Sequence, residues 1–122
     1  MYVDADFVLA LFKEDDWLKE NAQAVSERED DLWTSSYTLV ELLLVSYREG
    51  WNSLKIISYT CQMLRVEGET EEIKAAASHI EENGFTPFDA LHLVSSGNDV
   101  MVTSDQSYEG YTDRLKLEDI GG

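Results

Sequence analysis

The first twelve residues, "MYVDADFVLALF" (Met1–Phe12), decide the fold. "MYVDA" reads as a short apolar strand ending on an acid, and "DFVLALF" turns at once to the 3.6-residue spacing of a helix. A strand that feeds a helix in this way opens an α/β chain.

The rest of the sequence repeats the alternation. "DFVLALFKEDDWLKENAQAVSERED" is predicted as two helical pieces broken near "KEDD", the second made amphipathic by Trp17, Leu18, Ala22 and Val25. "LWTS" is a brief strand, and "SYTLVELLLVSYREG" a helix with Ser36 as candidate N-cap and Gly50 as its stop. "NSLKIISYTCQML" continues as helix and "RVEG" as strand. "ETEEIKAAASHIEENG" is a polar-faced helix closed by Gly84, with acids in the first turn where the helix dipole favours them. "TPFDALHLVSSGN" opens another helix, "DVMVTSD" is an apolar strand running into polar residues, and "LKLEDI" is a last strand. The order predicts an α/β protein with a mostly parallel sheet covered by helices on both faces. In such sheets ligands bind beyond the carboxyl ends of the strands.

With 122 residues and 43% hydrophobic content, the chain is expected to form one domain, 1–122. No apolar run reaches the roughly 20 residues that span a bilayer, and the N-terminus lacks the basic region of a signal peptide, so a cytoplasmic protein without a membrane span is expected. The single cysteine, Cys61, excludes an internal disulfide and reads as a small buried hydrophobe. The charge is unusual: 25 acidic against 9 basic residues, formally −16. With 11% aromatics and strong apolar periodicity, that charge belongs to the surface of a folded domain. A salt-rich, halophilic cytoplasm would screen the self-repulsion, because the Debye length falls to roughly 3 Å at molar salt.

Four acids stand out by position. Asp4 falls at the carboxyl end of the first strand, where it also fits a cap for a helix from Phe7, although Asp6 is the better cap. Glu41 is the one charge in "YTLVELLLV" and projects onto the least apolar stripe of a mostly buried helix, near solvent and Arg48. Asp89, in "TPFD", follows Thr86 and Pro87 as an acidic capping box and is equally placed to face a ligand beyond the helix end. His92, one turn on, reads as a packed or surface histidine. Asp105, in "TSDQS", sits in turn-rich sequence after a strand, on the same edge as Asp4. Four carboxylates meeting there would repel one another unless cations neutralised them, and an all-oxygen set suits Mg²⁺ or Mn²⁺.

The segments "YVDADFVLALF", "SSYTLVELL", "TPFDALHLV" and "VTSDQSY" resemble, in order and spacing, the four signatures of PIN domains, most closely the small VapC-type toxins of toxin–antitoxin pairs. The resemblance covers almost the whole chain. It implies a three-layer α/β/α sandwich around a mostly parallel four- to five-stranded sheet, and a metal-dependent ribonuclease. Asp4, Glu41, Asp89 and Asp105 would be its catalytic and metal-binding quartet, holding one or two Mg²⁺ or Mn²⁺ ions, with Thr103 supporting the last acid. It further implies an RNA substrate, a cognate antitoxin and a homodimer, with Trp17, Trp51 and Phe12 as candidates for apolar docking where they are not core. Asp6 and Ser107 depart from the pattern, standing where Asn or Ser and a further Asp are usual.

Three other readings compete. "DADFV" fits the Asp-x-Asp start of aspartate-nucleophile phosphatases, but that chemistry needs a lysine at a later strand end, and the region before Asp89 and Asp105 offers none. A receiver domain would want an aspartate where "LRVEG" has none. The non-enzyme alternative is a PIN-like scaffold that binds partners without cleaving. Against a nuclease stands the charge, since phosphate binding relies on cations; Lys13, Arg48, Arg65 and Arg114 are the candidates to line an RNA groove.

Overall fold

The two helical pieces either side of "KEDD" are α1 (Ala5–Phe12) and α2 (Lys19–Arg28). Helix α1 begins earlier than predicted. Asp4 is its N-cap, extended at φ −102 and ψ −173, and its Oδ1 accepts the Phe7 N–H at 3.3 Å. That geometry leaves Asp6 inside the first turn rather than at the cap, where its charge complements the helix dipole. The structure is a computed structural model that describes residues 1–97 and 99–119; Asn98, from the predicted "SSGN" helix end, and Ile120, the last residue of "LKLEDI", lie outside the described residues together with Gly121 and Gly122.

Strand β1 (Trp33–Ser35) leads directly into α3 (Ser36–Glu49), which is capped at Ser35 rather than Ser36 and closed by Gly50 at φ 74. Then come α4 (Ser53–Met63), β2 (Arg65–Glu67), α5 (Thr70–Asn83), α6 (Pro87–Ser96), β3 (Met101–Thr103) and β4 (Arg114–Lys116). A 3-10 turn, Gln106–Tyr108, lies between the last two strands, and Leu117–Asp119, expected as strand, is a second such turn.

The strands are parallel, as the alternation requires, but short. β1 pairs with β2, Thr34 opposite Val66, and β3 pairs with β4, Thr103 opposite Lys116. The expected first strand is a single parallel bridge, Tyr2 to Trp33, made by Trp33 N–H to Met1 O at 3.1 Å and Val3 N–H to Trp33 O at 2.8 Å. Among the described residues the strands form two separate two-stranded sheets instead of one of four or five. Each strand has three residues before a cap or turn claims the chain, so no ladder extends far.

Helices supply most of the core. Leu39, Leu42 and Leu43 of α3 are fully buried with Val8 and Ile57, each stabilising the fold by roughly 1.5–3 kcal/mol relative to exposure. Ala76 and Ala77 give α5 a small-residue face, which lets α4 and α6 pack closely against it. Helix α3, which carries Glu41, packs against α1, whose N-cap is Asp4, and against α6, which carries Asp89.

Candidate functional site

Three of the four predicted acids, Asp4, Asp89 and Asp105, are held by hydrogen bonds from their neighbours. Asp4 is fixed by its cap bond and by a buried node beneath it: Thr34 Oγ1 donates to Val3 O at 2.7 Å and lies 2.8 Å from Thr38 Oγ1. Thr34 and Thr38 are both buried, so this node locks the residue before Asp4 to the first turn of α3. Glu41 stands one turn further along α3. It is exposed, beside the largely exposed Tyr37 and Leu44, and forms no hydrogen bond or ion pair with a described residue. Arg48 does not meet it; its Nε pairs with Glu49 at 3.5 Å.

Asp89 is the third residue of α6, after Pro87, but the capping box does not form, and Thr86 makes no side-chain cap bond. Asp89 Oδ1 instead accepts the Tyr108 hydroxyl at 3.3 Å. Asp105 caps the 3-10 turn: its Oδ1 accepts both the Ser107 N–H at 2.9 Å and the Ser107 hydroxyl at 2.7 Å. Its own N–H donates to Thr103 Oγ1 at 3.1 Å. The Ser107 hydroxyl, then the Ser107 N–H and more weakly the Arg114 charge hold the Asp105 carboxyl below the usual carboxylate range. Tyr108 bonds Asp89 and feels the charge of both acids. Burial first, then the Asp89 charge and hydrogen bond, then the Asp105 charge push its phenol up to about 12, so it stays a proton donor at neutral pH.

One pattern recurs. In Asp4, Asp89 and Asp105 the Oδ1 atom takes the orienting hydrogen bond, and Oδ2 has no hydrogen-bond partner among the described residues. Each carboxylate is aimed by one oxygen and free at the other.

Tyr108 and Ser107 carry no signal of their own in "TSDQSYEGY", where turn residues abound. Arg114 was equally hidden, and the structure corrects its expected role. Its side chain is 3% exposed. Nη1 donates to Thr103 O at 2.8 Å and to Glu118, and Nη2 donates to Glu109 at 2.7 Å and to Glu118. It braces the end of β3 instead of lining a groove. Arg65 is likewise engaged, with Glu67 and Asp31, and Arg48 with Glu49. Of the four cations expected to line a groove, these three arginines are held by carboxylates, while Lys13 makes no ion pair among the described residues.

Among the described residues no group of three or more His, Cys, Asp or Glu side chains is gathered closely enough to hold a metal ion. The donor chemistry nonetheless fits a hard divalent cation. Mg²⁺ keeps several waters and is commonly held by one or two carboxylates, a role open to the free oxygens of Asp89 and Asp105. A dehydrated cage made only of protein ligands does not fit.

A family model described as PIN domain matches residues 1–108, a span that includes all four acids. The chain belongs to the PIN domain family. PIN domains are generally nucleases, hydrolytic enzymes that typically bind divalent metals, and the α/β class follows with membership. Neither a search of curated proteins nor one of solved structures returned a match. The PIN match stops at Tyr108, so Arg114 and Glu118, which brace the end of β3, lie outside it. No helix among the described residues is long and apolar enough to cross a membrane.

Proposed function

We propose that this PIN domain is a Mg²⁺- or Mn²⁺-dependent endoribonuclease, the toxin of a toxin–antitoxin pair, with Asp4, Glu41, Asp89 and Asp105 as its acidic site. The observation that carries the reading is that Asp89 and Asp105, from separate elements, are each oriented through one carboxylate oxygen, Asp89 by the Tyr108 hydroxyl and Asp105 by Ser107, with the other oxygen free of partners among the described residues. Asp89 and Asp105, each with one oxygen free, would hold the ion, and Asp4 and Glu41 would complete the acidic site. A divalent cation bound there supplies positive charge against the scissile phosphate and lowers the pKa of bound water.

The chain's own residues do the positioning. Tyr108 fixes the rotamer of Asp89, Ser107 and Thr103 fix Asp105, and the Thr34–Thr38 node sets Asp4 against α3. Attack by water on phosphorus with release of the 3′-oxygen leaves 5′-phosphate and 3′-hydroxyl ends. The partner reading rests on exposed apolar surface: Trp17, between α1 and α2, is 85% exposed, and Phe12 and Trp51 are half-buried. An antitoxin segment covering Trp17, a homodimer, a cytoplasmic setting and a halophilic source complete the proposal.

Asp89→Asn is expected to abolish cleavage of RNA with the fold intact, and excess EDTA to do the same to the unaltered protein. Calorimetric titration with Mn²⁺ should show binding that Asp105→Asn weakens. Cleavage that persists in EDTA or in the Asp89→Asn variant would sink the nuclease reading. Mn²⁺ binding without any cleavage would favour a scaffold.

A further inference from the structure

A cavity of about 170 Å³ opens beside Asp89, lined by Asn83, Phe85, Thr86, Asp89, Ser107 and Tyr111. It is smaller than the roughly 300 Å³ at which pockets for drug-sized ligands begin, and suits a single planar ring system. Its inner wall reaches both acids of the site, Asp89 directly and Asp105 through the Ser107 hydroxyl.

Its aromatic wall is built and braced. Phe85 is buried, and Tyr111 meets its ring edge-to-face at 4.9 Å and 77°. The His79 ring stands against the Tyr111 ring at 6.2 Å and 89°. Held on that side, Tyr111 remains 47% exposed, so part of its ring is open to a ligand. Asn83 is oriented by the same histidine: its amide nitrogen lies 3.0 Å from His79 Nδ1, leaving the other end of the amide available. One braced aromatic surface and one oriented amide are the two parts that base recognition requires: a π-face for stacking and a hydrogen-bonding group for the base edge.

We infer that this cavity is a nucleobase pocket, in which one base of the RNA stacks on Tyr111 and is read at its edge by Asn83 while the neighbouring phosphate lies at Asp89 and Asp105. The inference rests on the nuclease reading and names how that site holds its substrate. It also bears on the charge problem: at −16, with three of the four candidate groove cations, Arg48, Arg65 and Arg114, engaged by acids, a base contact supplies affinity that phosphate contacts lack.

The test is an NMR titration of the intact protein, with Mn²⁺ replaced by Mg²⁺ to avoid line broadening, using AMP, CMP, GMP, UMP and the base-free ribose 5-phosphate. One nucleotide is expected to bind at least tenfold more tightly than ribose 5-phosphate and than the weakest of the other three. Tyr111→Ala should weaken it about tenfold, Tyr111→Phe should restore it, and Asn83→Ala should level the four nucleotides. Ribose 5-phosphate binding as well as every nucleotide, or affinity and selectivity untouched by Tyr111→Ala and Asn83→Ala, would overturn the inference. Binding does not require hydrolysis. Base-selective binding by a protein that never cuts RNA would remove the nuclease reading alone, and cleavage by a protein whose nucleotide binding ignores Tyr111 would remove the pocket alone.

Discussion

Tyr108 is the residue that orients Asp89, because its buried hydroxyl donates to that carboxylate, and its phenol also feels the Asp105 charge. The folded protein holds its phenol near 12, against about 10 in an unfolded chain. The raised value favours the protonated form in the fold, so this contribution to stability is complete below pH 10 and is lost as pH climbs toward 12. Absorbance titration of the phenolates in metal-free buffer should show one of the six tyrosines titrating late, and Tyr108→Phe should remove that phase. A late phase unchanged in that variant would refute the assignment. The acids themselves were legible as residue types after strands and at helix starts. Tyr108 was not, since its role depends on a turn that brings it to Asp89, nineteen residues away.

Helices were the legible elements. Gly50 and Gly84 end α3 and α5 where predicted, both in the left-handed region. Strands were less legible: three-residue ladders carry too few side chains to encode register, so pairing is decided by the helices that pack around them. Gly68 shows what such pairing demands. It follows β2 at φ +119, and a β-carbon there would collide with the Ser36 side chain at the start of α3. Gly68→Ala combines that clash with backbone strain, and is expected to cost about 1–3 kcal/mol. A thermal melt should show the loss, and adding Ser36→Gly should recover the part due to the clash but not the part due to φ. An unchanged melting temperature in the single variant would contradict this account of how β2 and α3 meet.

At the scale of the whole molecule the charge governs. A surplus of sixteen negative charges on 122 residues opposes compaction, and salt screens that opposition. The melting temperature is expected to rise steadily from low to molar KCl, and equal melting at both ends of that series would remove the argument. The same surplus decides where these arginines go: Arg48 and Arg114 meet acids within five residues in sequence, and Arg65 meets Glu67 as well as the distant Asp31.

Arg114 carries the last consequence. A version of the chain trimmed to the span matched by the PIN family would retain Asp4, Glu41, Asp89, Asp105 and Tyr108, yet lose β4, Glu118 and the guanidinium that grips the Thr103 carbonyl. The boundary that defines the family and the boundary that makes the molecule rigid at Asp105 are therefore different places. Two relatives with the same quartet could differ in activity through nothing more than the tail each happens to carry.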